Sequence, residues 1–150
     1  MSEAVLEVKS FRTVVKDKHR ELILVDSIDF AIGTKEVVAL VGESGSGKSM
    51  TSLSIMQLLP RSVAIAGGEV RFCGTNLVGL NKRQMARVRG RRMSMIFQEP
   101  MTSLNPVLTV GTQLTEAIVR HLGASKMEAV AVAEDWIRRV GFPEPARIRN

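Results

Sequence analysis

The sequence has a single cysteine, Cys73, among its 150 residues, one tryptophan, two histidines and no tyrosine. One cysteine excludes an intramolecular disulfide and fits a reducing compartment. No apolar run approaches the roughly 18 residues that read as a membrane span. The first residues, Met1-Ser2-Glu3-Ala4, are polar and acidic, with no basic segment leading into a long apolar stretch, so no signal peptide is expected and the reading is cytoplasmic. His19 and His121 have no metal-like spacing and are expected at the surface. There is no internal repeat and no low-complexity tract. The 45% apolar and 24% charged fractions exclude a disordered chain. Length alone suggests one domain with a sizeable core.

The net charge of +6 is local. Residues 82–92 contain Lys82, Arg83, Arg87, Arg89, Arg91 and Arg92 and no acid, and the remainder is balanced at 15 basic and 15 acidic residues. A generally cationic nucleic-acid binder is therefore not the expectation. No interleaved aromatics offer base stacking there, so nucleic acid is not expected as a partner.

Hydrophobic patterning outlines the elements. Residues 6–10 alternate as a first strand, and Ile28, Phe30 and Ile32 alternate in an antiparallel partner, with a charged turn over 16–21 between them. Val37–Val41 is continuously apolar, the signature of a strand buried on both faces. A helix follows, with Leu53, Met56, Leu58 and Leu59 facing inward and a stop near Pro60. Val70 and Phe72 mark another strand closed by Gly74, with Cys73 expected as a small apolar filler. Asn81 and Gln84 have the form of a helix start, Gly90 ends that basic helix, and Met93–Phe97 reads as a strand. Helices are expected from Val110 to Leu122 and from Ser125, through a capping box with Glu128, to Gly141 and Pro143. The second should present Val130, Ala133, Ile137 and Val140 to a core, with Trp136 as packing.

Residues 42–49 read GESGSGKS and match G-x-x-x-x-G-K-[ST]. A triphosphate needs many donors close to its oxygens. Gly45 and Gly47 let the backbone turn tightly and aim N–H groups at it. The helix starting near Lys48 points a partial charge of about +0.5 at the same place. Lys48 can reach the β- and γ-phosphates and the Ser49 hydroxyl can ligate Mg²⁺. The candidate nucleotide-binding set is Gly42, Glu43, Ser44, Gly45, Ser46, Gly47, Lys48, Ser49 and Met50. The motif by itself leaves transporter ATPases, kinases and DNA-repair ATPases open.

A second motif, MIFQEPMTSLNPVLTVG at 95–111, narrows this. With it the chain resembles the nucleotide-binding subunits of ATP-binding cassette (ABC) transporters, most closely the branch importing dipeptides, oligopeptides, glutathione or nickel. The resemblance covers essentially the whole chain. It implies an α/β fold: a P-loop NTPase core of ABC type over 1–106, with an antiparallel N-terminal sheet portion, and the start of a helical subdomain over 107–150. It implies ATP and Mg²⁺ as ligands, with Lys48 and Gln98 as catalytic residues. Ser49 and Gln98 would be the residues approaching the metal. The loop 98–106 would link the core to the helical subdomain and sense transmembrane permease subunits. A second cassette would complete the ATP sites, as homo- or heterodimer, and a solute-binding protein would act indirectly. The location implied is peripheral, on the cytoplasmic face of the inner membrane.

The sequence departs from the family in two ways. No tyrosine is present, and the position that would stack adenine falls near Val14-Val15, while Phe11 alternates as core, so affinity is expected to rest on phosphate contacts. The signature motif, the Walker B aspartate, the catalytic glutamate and the switch histidine are absent; Asp135 follows Glu134 but sits mid-helix and does not substitute. The chain is therefore read as an incomplete domain, the front of a larger one, that binds Mg-ATP without turning it over. An exposed sheet edge and a tendency to aggregate follow. A DNA-associated ATPase of the same superfamily and a non-catalytic nucleotide-binding fragment remain alternative readings.

Overall fold

The computed structural model describes residues 4–16, 20–99 and 103–149. The middle of the expected charged turn, with His19, lies outside the described residues, as do positions 100–102 of the 98–106 loop. The chain divides into two compact units, Met1–Ala86 and Arg87–Asn150.

The first unit is built on a four-stranded antiparallel sheet in the order β2-β1-β3-β4. Strands β1 (Ala4–Lys16) and β2 (Glu21–Gly33) form a hairpin far longer than the alternating stretches suggest, with Val8 opposite Phe30 and Val14 opposite Ile23. Two bulges hide this length from a period-two reading. Ser10 and Ser27 have positive φ (45° and 43°), and the β1–β2 register shifts between Val8 and Phe11. The Ser10 N–H donates to Asp29 Oδ1 at 2.9 Å. After the bulge the inward set resumes at Phe11, Thr13 and Val14, all fully buried. Strand β3 (Val63–Phe72) pairs with the other edge of β1, and the short β4 (Thr75–Asn76) returns through a tight turn. Cys73 (φ 45°) and Gly74 (φ 78°) occupy that turn, both in the left-handed region. Cys73 is thus exposed at a hairpin tip and fills no core.

Helix α1 (Lys48–Ile55) is shorter than expected and buries a different face. Thr51, Ser54, Ile55 and Met56 are buried, while Leu53, Leu58 and Leu59 are only half-buried. The helix ends before Pro60 because Gln57 takes a left-handed conformation (φ 50°). The Gln57 N–H then donates to the Ser54 carbonyl at 3.0 Å and the Leu58 N–H to the Leu53 carbonyl at 2.8 Å, a Schellman cap formed without glycine. The Gln57 side-chain amide also donates to the Leu77 carbonyl. Helix α2 (Lys82–Val88) opens on a reciprocal Asn81–Gln84 pair at 2.9 and 3.0 Å and buries Met85 and Val88.

Two expected strands are not formed. Residues 37–41 carry no ladder, and Val37 and Val41 are 94% and 89% exposed. In the second unit, 93–97 makes one isolated bridge, Arg89 to Met93, and Ile96 is 98% exposed. A strand meant for burial on both faces needs hydrogen-bonded neighbours on its edges; among the described residues 37–41 has no such ladder and 93–97 has only the single bridge at Met93. The apolar pattern is real, but nothing in the described residues completes it.

The second unit is otherwise helical: α3 (Val110–Leu122), α4 (Lys126–Arg139) and the unanticipated α5 (Pro145–Arg149). Thr109 caps α3 and left-handed Gly123 closes it. Ser125 and Glu128 form the capping box of α4, and Gly141 (φ 95°) follows its end. The buried stripe of α4 is Ala129, Ala133 and Ile137. It is offset from the expected one, leaving Val140 exposed, and Trp136 is 55% exposed with the Arg139 guanidinium 5.2 Å from its ring centroid. Among the described residues no helix is long and apolar enough to cross a membrane.

Candidate nucleotide-phosphate site

The loop between residue 41 and α1 is shaped by two left-handed glycines, Gly45 (φ 83°) and Gly47 (φ 89°), and by a Ser46 N–H to Glu43 carbonyl turn at 3.2 Å. Gly47 is required on contact grounds as well. A Cβ there would lie 2.6 Å from the Leu24 carbonyl oxygen of β2. A Cβ on Gly42 would lie 2.7 Å from Ser46 Oγ. The Gly47 contact is with backbone, and the Gly42 contact is with the Ser46 side chain.

Gly47 is also the N-cap of α1, and no side chain caps the helix. The first intrahelical bond runs from the Thr51 N–H to the Gly47 carbonyl at 2.8 Å. The N–H groups of Lys48, Ser49 and Met50 therefore have no acceptor within the helix. No acidic residue stands in the first turn to offset the helix dipole. Such an end favours an anion.

Lys48 is folded over the loop. Its Nζ donates to the Gly42 carbonyl at 2.7 Å, the Glu43 carbonyl at 2.5 Å and Ser46 Oγ at 3.3 Å. All three acceptors are neutral, so the ammonium is held in place while its charge stays uncompensated. A cleft of about 400 Å³ opens beside it, lined by Ile23, Val25, Leu40, Val41, Ser46 and Thr51 among others. Ser49 is exposed in the first turn of α1. The structure thus brings Gly42, Glu43, Ser46 and Lys48 into one hydrogen-bonded group, with Ser44 and Gly45 in the turn and Ser49 and Met50 at the helix start. A tightly turned glycine loop, helix-start N–H groups without helical acceptors and an uncompensated ammonium fit a polyphosphate.

Sequence reasoning missed the two hydroxyls that fix this helix. Thr51 Oγ1 donates back to the Gly47 carbonyl at 3.0 Å. Ser54 Oγ donates to the Met50 carbonyl at 2.6 Å and accepts from Thr13 Oγ1 at 3.1 Å, tying α1 to β1. Thr13, Thr51 and Ser54 are all buried. The available signal was hydroxyl residues three apart, 51 and 54, on one side of α1. Val14, near the expected adenine-stacking position, is fully buried, and Val15 is half-buried.

Gln98 lies in the second unit, exposed, at a bend. The described end of its loop is organised by a residue the sequence did not single out. Gln113 Oε1 accepts from the Asn105 N–H at 2.8 Å, and its Nε2 donates to the carbonyls of Asn105 and Leu108, each at 3.0 Å. One amide therefore fastens residues 105–108 to α3. Asp135, the acid considered above, pairs with Arg139 at 2.7 Å and Arg138 at 3.7 Å along α4. Among the described residues no group of three or more His, Cys, Asp or Glu side chains could hold a metal.

A family profile described as ABC transporter matches residues 25–149. The chain belongs to the ABC transporter family. The oligopeptide transport ATP-binding protein AppD of Bacillus subtilis is 45% identical over 144 residues, covering 95% of this chain and 44% of that protein. The chain spans 41–45% of the length of the relatives it matches. Among solved structures, the dimeric bacterial ABC transporter cassette MJ0796 superposes with a TM-score of 0.79 at 21% identity, over 97% of this chain and 60% of that one. The same cassette in a dimeric post-hydrolysis state bound to ADP and Pi gives 0.72 at 18% identity, over 89% of this chain and 57% of that one. The fold is accordingly a partial P-loop NTPase domain of ABC type. The phosphate-site residues and the 95–111 motif both lie inside the matched range.

Proposed function

We propose that this chain forms the front part of an ATP-binding subunit that powers import of peptide-like solutes. The nucleotide-binding core would occupy 1–106 and the helical subdomain would begin near 107. The observation that carries the reading is the uncapped start of α1 beneath a lysine held only by neutral acceptors. The peptide-transport relatives supply the solute class.

In this reading the backbone of Gly42–Met50 wraps the phosphates. Lys48 exchanges its loop carbonyls for β- and γ-phosphate oxygens, which are stronger, charged acceptors. Mg²⁺, held by phosphate oxygens with the Ser49 hydroxyl, would neutralise charge on the transferred phosphoryl group. Gln98 would orient the attacking water through its amide, which can both donate and accept. Hydrolysis also needs a carboxylate to activate that water and the opposing face of a second cassette. Residues 1–150 therefore bind nucleotide without turning it over. The 98–106 loop and the helical region would meet the permease subunits at the cytoplasmic membrane face, with a solute-binding protein acting indirectly.

Titration of the purified chain with a fluorescent ATP analogue tests the site. Lys48→Ala should weaken binding at least tenfold without shifting the unfolding midpoint downward by more than a small amount. Unchanged affinity would remove Lys48 from the site. A steady ATPase rate from the unaltered chain, lost in the variant, would overturn the claim that turnover needs further segments.

A further inference from the structure

We infer that the outward face of α2 is a docking surface for anionic lipid headgroups. From residue 70 to residue 98 the chain contains no aspartate or glutamate, yet it carries Arg71 and all six cations of the 82–92 segment. Outside 82–92, six cations (Lys9, Arg12, Arg71, Arg138, Arg139 and Arg147) each sit within 4 Å of a carboxylate. Lys82, Arg83 and Arg87 are exposed and form no ion pair among the described residues, and Arg91, in the turn that follows, is the same.

The helix geometry explains how these charges are displayed. Met85 is fully buried and Val88 is 8% exposed, so one side of α2 is fixed inward. At 100° per residue, Arg83 and Arg87 fall on the opposite side, while Lys82, three residues before Met85, is exposed along the flank. Arg89 belongs to neither group: it is half-buried, with its Nε shielded from solvent. Several like charges crowded on seven helical residues repel one another, a cost that an anionic surface converts into attraction. No aromatic residue lies between Phe72 and Phe97, so the face offers no platform for unpaired bases. Anionic phospholipid headgroups need only phosphate-pairing cations, and guanidinium groups supply these bidentately. Membership of a transporter family places such headgroups close at hand.

The test is co-sedimentation of the purified 150-residue chain with vesicles of 30 mol% phosphatidylglycerol in phosphatidylcholine, against pure phosphatidylcholine, at low and high salt. Each basic residue near an anionic surface strengthens partitioning about fivefold. Replacing Lys82, Arg83 and Arg87 together by Gln should therefore lower it about a hundredfold. The charge-preserving pair Arg83→Lys and Arg87→Lys should retain most binding, which separates charge from folding. A control triple, Arg61→Gln, Arg120→Gln and Lys126→Gln, should change partitioning only a few-fold, and added salt should weaken it. Equal binding to both vesicle types overturns the inference. So does a control triple as damaging as the α2 triple. Preferential capture by duplex DNA at matched phosphate concentration, lost in the α2 triple, would reassign the face to nucleic acid and overturn it too.

Discussion

Replacing Gly47 and Gly45 separately by alanine isolates what holds the phosphate loop in shape. Both glycines have φ near +85°, so each alanine incurs the cost of a left-handed backbone, about 1–2 kcal/mol. They differ in surroundings. A Cβ on Gly45 meets nothing within 4 Å, whereas one on Gly47 lies 2.6 Å from the Leu24 carbonyl oxygen and 3.6 Å from Val25 Cγ2. The first distance is about half an ångström or more inside ordinary contact. Either the start of α1 or strand β2 must move, and overpacking of this kind costs about 1–3 kcal/mol. Gly45→Ala should thus lose about 1–2 kcal/mol and Gly47→Ala about 2–5 kcal/mol. Urea unfolding followed by far-UV circular dichroism measures both, provided the slope stays constant. Nucleotide titration of the same proteins should show the larger loss for Gly47→Ala, because the displaced element carries the free N–H groups. Equal midpoints for the two variants would refute the argument that packing against β2, beyond dihedral preference, selects glycine at 47.

Other outcomes follow from the same geometry. Gln113→Ala removes three short hydrogen bonds from residues 105–108, and amide hydrogen exchange there should accelerate severalfold while α4 is unchanged; uniform acceleration across the second unit would mean that Gln113 stabilises the whole unit. Ser54→Ala leaves the buried Thr13 hydroxyl without its acceptor and should cost about 1–3 kcal/mol, with Thr13→Val in the same chain restoring part of it; strictly additive losses would argue against the pair. Hydrogen bonds from Ser125, first its side chain and then its backbone, hold the Glu128 carboxyl below its ordinary value of 4.5. A depressed folded pKa stabilises above the unfolded value and is lost as pH falls through the folded one. The stability gap between the unaltered chain and Glu128→Gln should therefore narrow as pH falls from neutral through the acid range, and a gap that does not change with pH would contradict the linkage.

Local chemistry was the readable part of the sequence. GESGSGKS defined a loop that turns on left-handed Gly45 and Gly47, holds Lys48 over its own carbonyls and opens α1 at Gly47. Asn81–Gln84 and Ser125–Glu128 announced two helix starts, because a cap is decided by residues three apart. What was hidden depends on distant partners or on backbone conformations that non-glycine residues rarely adopt. The thirteen-residue strands were hidden by bulges at Ser10 and Ser27, which break alternation. The end of α1 was hidden because Gln57 takes the left-handed cap conformation usually given to glycine. Thr13, Thr51 and Ser54 were hidden because their hydroxyls are satisfied by one another and by backbone carbonyls. Val37–Val41 was readable as a strand, but strand formation is a property of at least two segments. The role of Gln113 appears only once residues 105–108 fold back on α3.

The uncovered run at 37–41 also bears on protein synthesis. It is translated early, and roughly a hundred residues follow before the end of the described chain. At about 5–20 residues per second, those residues take about 5–20 s to emerge. Because none of the described residues pairs with it, the run stays open to chaperones, proteases and neighbouring nascent chains throughout that interval.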